Sequence, residues 1–515
     1  MTKKISCVLI LSVIAVLGAG PVSAQQQIPF LPELLDRFAQ FGSLCIEKQK
    51  SGSDQPAVEQ ARLKSEDAFR RNDLPGLIET ISQGIAVLQG KKWDDALKFS
   101  NSLALETGAT VVQTNQLLRV AIERMYPADE TKTFGSTPTV TFAIEPGATS
   151  ATGQGPEGTG SKPTVLADHL AMGVSSTETE ERIRIPDGSY SVVARIEVDG
   201  KPVAVLNKPL YAINDFADRI SGLLAQIGRI KSSTDPKVKS VAGLVATPEF
   251  QVKRLSSLDR SSSDIEVDVP AELDTLNAVV TALEKGENPF ASKRGELERA
   301  YSAAGQLVPY RVYVPASYDG SRAVPLVVAL HGVLGDERSY FRGIYDPTTV
   351  KGELDRRGYI MVTPKLAGSS YPQVEADVLE VIKQAMAAYK IDPSRIYLTG
   401  HSTGAFAVWQ IASDHPEIFA AIAPVSGGSP VQPSQLSALL GKLKGVPIFA
   451  AHGAKDGIVA PDQSRKVVEA AKKAGLEVSY VEVPGADHWS LLGPVFPKIM
   501  DFFDKNRKQP TAAPN

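Results

Sequence analysis

The pattern of apolar and polar positions changes along the chain, and it is most informative in the last part. From Val308 onward, short apolar runs alternate with longer segments whose apolar residues recur at helical spacing. This alternation predicts an α/β domain with a mostly parallel sheet over residues 300–508. The predicted strands are Tyr310–Val314, Leu326–Leu330, Tyr359–Thr363, Ile396–Thr399, Ala420–Pro424, Pro447–Ala451 and Val478–Val483.

The region upstream of this domain contains two other patterns. Residues 28–130 have apolar positions at helical spacing, and we predict a helical domain that includes Leu103 and Leu105. Residues 137–212 alternate with period two between turn signals, which predicts a small β-sandwich-like module.

Residues 213–299 return to helical spacing and are expected to connect the module to the last domain. The stretch Lys231–Asp264 within this segment is polar and rich in serine. That composition favours a linker or a loosely packed crossover between two helices.

The first residues have the features of a targeting signal. Lys3 and Lys4 precede the apolar run Ile5–Leu17, and Val22-Ser23-Ala24 follows as a small-residue cleavage site. We therefore predict a signal peptide over residues 1–24, cleavage after Ala24, and a secreted or periplasmic protein. The apolar run is too short for a stable membrane span.

Composition narrows the functional classes only modestly. Hydrophobic residues make up 43% and charged residues 22% of the chain, and the formal net charge is −3. These values are ordinary for a soluble globular protein and give no reason to expect nucleic-acid binding. Removal of the leader with Cys7 leaves Cys45 alone, so no internal disulfide is expected and Cys45 should be a packed apolar residue.

The most informative motif is Gly400-His401-Ser402-Thr403-Gly404. It follows the predicted strand Ile396–Thr399 and precedes a helix with an apolar face. Such a strand–turn–helix context holds a serine in a strained conformation with its hydroxyl above the sheet. The sequence therefore predicts that Ser402 is a nucleophile.

A serine nucleophile requires a general base, which in turn is oriented by an acid. Among the six histidines, His488 is favoured because it lies in a loop between the last strand and the C-terminal helix. Asp456 is the favoured acid because it follows the preceding strand in the order expected for this architecture. The alternatives considered are Asp462 and Asp487 for the acid, and His169, His331, His401, His415 and His452 for the base.

Stabilisation of a developing oxyanion requires backbone donors near the nucleophile. The predicted donors are the N–H groups of Thr403 and Val333, with Leu334 as the alternative to Val333. Both alternatives lie in the loop after Leu326–Leu330. The sequence has no metal-ligand spacing, phosphate-binding loop or cofactor fingerprint, so no metal or cofactor is expected.

Together these motifs resemble the α/β-hydrolase superfamily over about Tyr301–Phe503. Within it, the sequence is similar to secreted esterases of the polyhydroxybutyrate depolymerase and feruloyl esterase type. These esterases in turn resemble prolyl-oligopeptidase-like hydrolases. One departure is that such enzymes often have G-H-S-M-G-G, where this chain has Thr403 and Ala405. The resemblance implies nothing for the first 300 residues.

The expected function is hydrolysis of small-molecule or polymer-linked carboxylic esters through an acyl-enzyme. The alternatives are a serine peptidase of the prolyl-oligopeptidase type and a non-catalytic binding protein on a hydrolase fold. Because only Ser426–Val446 separates the later strands where a lid could insert, we also expect an open site.

Overall fold

The computed structural model describes residues 30–51, 55–129, 133–147, 163–173, 175–258, 268–333, 335–366 and 371–508. The predicted signal peptide therefore lies outside the described residues. The described chain forms two compact units, one of residues 35–73 and 290–508 and the other of residues 30–34 and 74–289. We call the first the large-sheet unit and the second the two-sheet unit. None of the helices in the described ranges has the length and apolar character needed to cross a membrane.

The chain begins with helices α1 (Leu31–Ser51) and α2 (Gln55–Arg70). On α1, Phe38, Phe41 and Cys45 are spaced to share one face, and all three are buried. The expected separate helical domain over residues 28–130 was wrong in this respect, because residues 35–73 belong to the large-sheet unit.

The two-sheet unit starts with helices and continues with eight strands. The helices are α3 (Leu74–Leu88) and α4 (Asp95–Asn101). The strands are β1 (Leu103–Thr107), β2 (Val111–Val112), β3 (Leu117–Arg124), β4 (Thr139–Pro146), β5 (Thr164–Ala171), β6 (Ser176–Arg182), β7 (Gly188–Val198) and β8 (Lys201–Ala212). They form a three-stranded sheet in the order β1-β3-β6 and a five-stranded sheet in the order β2-β8-β7-β4-β5. Both sheets contribute side chains to one hydrophobic core.

The helical prediction for Leu103 and Leu105 was therefore wrong. Leu103 pairs with Arg124, and Leu105 pairs with Ile122, in an antiparallel ladder. Strand β3 buries Leu118, Val120 and Ile122 at alternate positions, which is the period of a half-buried strand. The short apolar run around Leu103 fits either period, and pairing with β3 decides its conformation.

Helices complete the two-sheet unit. They are α5 (Phe216–Ser232), α6 (Pro236–Val241), α7 (Ala246–Ser256) and α8 (Val269–Glu284). Two of these helices occupy the stretch expected to be a linker, where Val238, Val252 and Leu255 are buried. Up to residue 258 the linker prediction was wrong, because a few apolar residues at helical spacing are enough to pack short helices despite the polar composition; residues 259–264 lie outside the described residues.

The large-sheet unit contains an eight-stranded sheet with helices between the strands. The strands are β9 (Gly295–Ala303), β10 (Gln306–Val314), β11 (Val324–Leu330), β12 (Ile360–Pro364), β13 (Ile391–His401), β14 (Ala421–Val425), β15 (Ile448–Gly453) and β16 (Val478–Val483). The helices are α9 (Pro347–Arg357), α10 (Tyr371–Ala388), α11 (Thr403–Asp414), α12 (Pro433–Lys442), α13 (Asp462–Lys473) and α14 (Leu492–Lys505).

The strand order in this sheet is β16-β15-β14-β13-β11-β12-β10-β9. Strands β11 to β16 pair in parallel, whereas β10 is antiparallel to both β9 and β12. The α/β domain with a mostly parallel sheet is thus confirmed. Strand β9 starts before residue 300, and its edge position was not recognised from the sequence.

Both faces of the large sheet are covered, which explains why its central strands are almost continuously apolar. Leu326, Val328 and Leu330 of β11 point into one core, which includes Trp409 of α11. The alternate residue Val327 of β11 points into a second core. Because the sheet is anchored on both faces, the loops at its carboxyl edge start from fixed points.

The turn between β13 and α11 is tightly packed at one of these starting points. A Cβ atom added to Gly404 would lie 2.7 Å from the carbonyl oxygen of His331 and would also collide with that of Leu330. Both obstacles are backbone atoms that cannot rotate away. A glycine is therefore required where α11 passes the end of β11.

We expect Gly404→Ala to lower the free energy of unfolding by about 1–3 kcal/mol, because the added methyl group overpacks this turn. The matched control is Gly441→Ala near the end of α12, where an added Cβ meets no atom within 4 Å. That variant should be unchanged or stabilised by up to about 1 kcal/mol. Denaturant unfolding of the full-length protein measures both, and equal stability of the two variants would contradict the packing argument.

Candidate active site

Ser402 lies directly after β13, at the start of α11. Its backbone has φ 56° and ψ −120°, which is unusual for a residue with a side chain. A Cβ atom added to Gly332 would lie 3.0 Å from the Cβ of Ser402, so the loop after β11 lies against this turn. The strained turn predicted from the sequence is therefore present around Ser402.

His488 and Asp456 are brought together from two different loops. The Nδ1 atom of His488 lies 2.8 Å from Oδ2 of Asp456, and both side chains are fully buried. The other carboxylate oxygen, Oδ1, accepts the backbone N–H groups of Ile458 and Val459 at 3.0 and 2.8 Å. The loop after β15 thus holds the carboxylate of Asp456 in one orientation.

The electrostatics of this pair favour a charged acid. Burial alone would raise the pKa of Asp456, but electrostatic attraction to His488 and hydrogen bonds with His452 and His488 hold it well below its usual range. The carboxylate therefore accepts the Nδ1–H of His488. The Nε2 atom of His488 is buried and has no hydrogen-bond partner within the described part of the chain, so it is available to take a proton.

The rival acids make other contacts. Asp462 lies in the first turn of α13 and pairs with Lys466 at 2.6 Å. Asp487 accepts the backbone N–H groups of Trp489 and Ser490 at 3.0 and 2.8 Å. The carboxylate that reaches the imidazole of His488 is that of Asp456.

The sequence did not single out His452 as a partner of the acid. Its Nε2 lies 3.1 Å from Oδ2 of Asp456, and its side chain is fully buried. Asp456 therefore lies between two imidazoles. The spacing His452-Gly-Ala-Lys-Asp456 was the available signal, because only three residues separate His452, near the end of β15, from Asp456 in the following loop.

His401, which the sequence did not favour as the base, makes hydrogen bonds through both of its ring nitrogens. Its Nε2 lies 2.8 Å from the backbone oxygen of His488, and its Nδ1 lies 3.1 Å from the hydroxyl of Tyr345. Burial and the neighbouring His488 lower the pKa of His401 to about 3. His401 is therefore neutral at ordinary pH.

The predicted oxyanion donors lie on the two segments that flank Ser402. Thr403 is the first residue of α11, where backbone N–H groups are not used within the helix. Val333 lies in the loop after β11, next to Gly332, and its alternative Leu334 lies outside the described residues. The roles of Thr403 and Val333 stay predictions.

Helices α1 and α2 lie against the loop that carries His488. The rings of Phe38 and Phe69 contact Trp489, with centroids 5.1 and 6.3 Å away. Arg62 Nε lies 3.4 Å from Oδ2 of Asp487. Ser402 is only 4% exposed, which does not favour the open site expected from the sequence. Helices α1 and α2 precede the sheet in sequence, whereas the prediction considered only insertions between strands.

Glu66 of α2 is the unexpected acidic group near His488. It is buried and in close contact with Gly457. Burial, followed by the charges of Asp487 and Asp456, raises the pKa of Glu66 to about 7, while His488 opposes this shift. Glu66 is therefore largely protonated below neutral pH.

The raised pKa of Glu66 predicts a specific pH dependence of stability. Because the unfolded chain titrates near 4.5 and the folded chain near 7, this contribution is complete below pH 4.5 and is lost as the pH rises through 7. Glu66→Gln should remove that loss, which amounts to at most about 3 kcal/mol. Its free energy of unfolding should therefore vary less between pH 4.5 and 8 than that of the parent.

The matched control for this variant is Glu59→Gln, because Glu59 is exposed on the same helix and pairs with Lys455. Denaturant unfolding at several pH values measures all three proteins. If Glu66→Gln and Glu59→Gln had the same pH profile, the buried environment of Glu66 would not be responsible for the effect.

Comparison with known proteins adds to this geometry. A model described as the prolyl oligopeptidase family matches residues 368–440, which include Ser402. Feruloyl esterase B of Talaromyces stipitatus is 29% identical over 153 residues, or 27% of this chain and 40% of that protein. Poly(3-hydroxyalkanoate) depolymerase C of Paucimonas lemoignei is 31% identical over 119 residues, or 20% of this chain and 28% of that protein.

Among solved structures, Est1E from Butyrivibrio proteoclasticus is similar over 40% of this chain and 97% of that one, with 15% identity and a TM-score of 0.34. The matched region spans less than half of either curated relative. The family match at residues 368–440 lies in the large-sheet unit, and the two curated relatives are named as an esterase and a depolymerase.

Proposed function

We propose that this protein is an exported serine hydrolase that cleaves carboxylic esters with Ser402, His488 and Asp456 as its catalytic residues. The observation that carries the proposal is the buried pair of His488 and Asp456 at 2.8 Å, with Nε2 of His488 free among the described residues. The strained turn at Ser402 and the esterase relatives support the same reaction class.

In the proposed reaction, the hydroxyl of Ser402 attacks the ester carbonyl while Nε2 of His488 takes its proton. Asp456 keeps the imidazole in the required tautomer and stabilises the imidazolium. The N–H groups of Thr403 and Val333 would stabilise the negative charge on the carbonyl oxygen. His488 then returns the proton to the leaving alcohol, and water repeats the attack on the acyl-enzyme.

Export is part of the proposal and is supported by the composition of residues 1–24. One relative at 27% identity, from Arthroderma benhamiae, is described as a secreted protein. Mass spectrometry of protein collected outside the cytoplasm should find Gln25 as the first residue. A mature chain that still starts at Met1 would contradict this part.

Replacing the nucleophile tests the proposal directly. Ser402→Ala should lower kcat for p-nitrophenyl ester hydrolysis by up to about 10⁶-fold, because the acyl-enzyme cannot form. It should also abolish labelling by a fluorophosphonate probe. The control is Ser413→Ala, which removes a buried hydroxyl at the other end of α11 and should retain turnover. Retained turnover in purified Ser402→Ala would reject the assignment.

The prolyl oligopeptidase match makes a peptidase the second candidate. A panel of aryl, short-chain and polyester substrates, compared with matched amides, distinguishes the two. Hydrolysis of the esters with little cleavage of the amides is the expected result. Amide cleavage without a preference for esters would favour a peptidase.

A further inference from the structure

We propose that His401 and Tyr345 are positioning residues that link the three loops of the site through one chain of hydrogen bonds. The chain runs from Gly332 through Tyr345 and His401 to His488. This inference rests on the proposed function, because it assigns each loop a part in ester hydrolysis. It adds two residues that do not touch the reacting atoms.

The direction of every hydrogen bond in this chain is fixed by its last member. The backbone oxygen of His488 can only accept, so Nε2 of His401 must carry the hydrogen, at 2.8 Å. In a neutral imidazole, Nδ1 is then an acceptor, and the hydroxyl of Tyr345 donates to it at 3.1 Å. The oxygen of Tyr345 in turn accepts the backbone N–H of Gly332 at 3.3 Å.

The surroundings keep both residues in these roles. His401 and Tyr345 are buried, and the ring of Tyr345 stacks on Tyr340 with centroids 4.8 Å apart and planes 6° apart. Burial lowers the pKa of His401 and raises that of Tyr345, so both side chains stay neutral. A protonated His401 would place a second hydrogen at Nδ1 and could no longer accept from Tyr345.

The chain joins three parts with different proposed functions. Gly332 belongs to the loop expected to supply an oxyanion donor, His401 precedes the nucleophile, and His488 is the proposed base. The rings of His401 and His488 are also in contact, with centroids 4.6 Å apart. Small displacements among these loops would separate groups that must meet in the transition state, which affects kcat more than ground-state binding.

The test starts with Tyr345→Phe, which removes the linking hydroxyl and keeps the stacked ring. We expect about a tenfold fall in kcat for a p-nitrophenyl ester, with KM nearly unchanged. The control is Tyr340→Phe, which removes a hydroxyl from the stacked partner, where it donates to the backbone oxygen of Leu330 over a long distance of 3.4 Å. It should keep the parental kcat.

Rescue and coupling distinguish positioning from a general packing effect. His401→Gln should retain more kcat than His401→Ala, because a glutamine amide can still donate to the oxygen of His488. In the His401→Ala background, Tyr345→Phe should have little further effect, since the chain is already broken. Tyr340→Phe should act equally in both backgrounds.

Different results would overturn the proposed ester hydrolysis and the positioning role of His401 and Tyr345. If the parent hydrolyses no ester and takes up no fluorophosphonate, the proposed function fails. If the parent is active and Tyr345→Phe keeps its kcat, or if Tyr345→Phe and His401→Ala act independently, the positioning role is overturned. A fall in kcat with coupling between these two residues supports it.

The cover formed by α1 and α2 carries a second, independent inference. We infer that these helices form a lid that must move before an ester reaches Ser402. The lid contacts three loops of the large-sheet unit: Ala39 lies against Gly343, Glu66 against Gly457, and Phe38 and Phe69 against Trp489. Ser402 is 4% exposed and the side chain of His488 is fully buried, so both proposed catalytic groups have little access to solvent in this arrangement.

Cys45 provides a reporter for lid movement that does not depend on activity. It is buried on α1, burial raises its thiol pKa to about 11, and it is the only cysteine once the predicted leader is removed. Phe69→Ala, which weakens the contact with Trp489, should raise the rate of Cys45 alkylation and kcat/KM for a bulky aryl ester several-fold. Leu63→Ala on the exposed face of α2 is the control and should change neither rate.

Peptide mass spectrometry identifies Cys45 as the alkylated residue. A rise in alkylation rate together with kcat/KM in Phe69→Ala supports the lid. Equal rates in Phe69→Ala and Leu63→Ala would overturn it, as would rapid alkylation of Cys45 in the parent.

Discussion

The hydrogen bond between His488 and Asp456 is the interaction on which the rest of the site depends. An ionised carboxylate without exposure to water is costly unless it is fully hydrogen-bonded. Here two backbone N–H groups and two imidazoles surround Asp456. The tight loop after β15 therefore has to keep its shape, and the orientation of His488 follows from that shape.

The parallel sheet sets the distances between the loops that carry Ser402, Asp456 and the loop residue Gly332. Strands β11, β13 and β15 all end at one edge of the sheet, and each is followed by a loop of the site. Because side chains of β11 are packed into cores on both faces, the ends of the strands are fixed relative to one another. The loops therefore need only short-range contacts, such as Gly332 against Ser402, to complete the site.

The sequence was sufficient for features that depend on local pattern. Strand β16, the turn at Ser402 and the pairing partner Asp456 follow from apolar runs, flanking glycines and the order of elements. It was insufficient where distant segments decide the outcome. Leu103–Thr107 becomes a strand only through pairing with β3, and the position of Tyr345 beside His401 depends on the folded path of the loop after β11. The apolar spacing of α1 and α2 likewise predicts helices but does not indicate which part of the chain these helices contact.

The charge distribution around His488 follows from burial acting on several groups at once. Burial drives both His401 and Glu66 toward their neutral forms, although one is a base and the other an acid. Asp456 stays anionic because the imidazoles of His488 and His452 and two backbone N–H groups surround its carboxylate. If His488 takes the proton of Ser402 as proposed, the new positive charge faces the carboxylate of Asp456 and a neutral His401. Because burial lowers its pKa, His401 is a poor base even though it is adjacent to Ser402 in the chain, which supports the proposed role of His488.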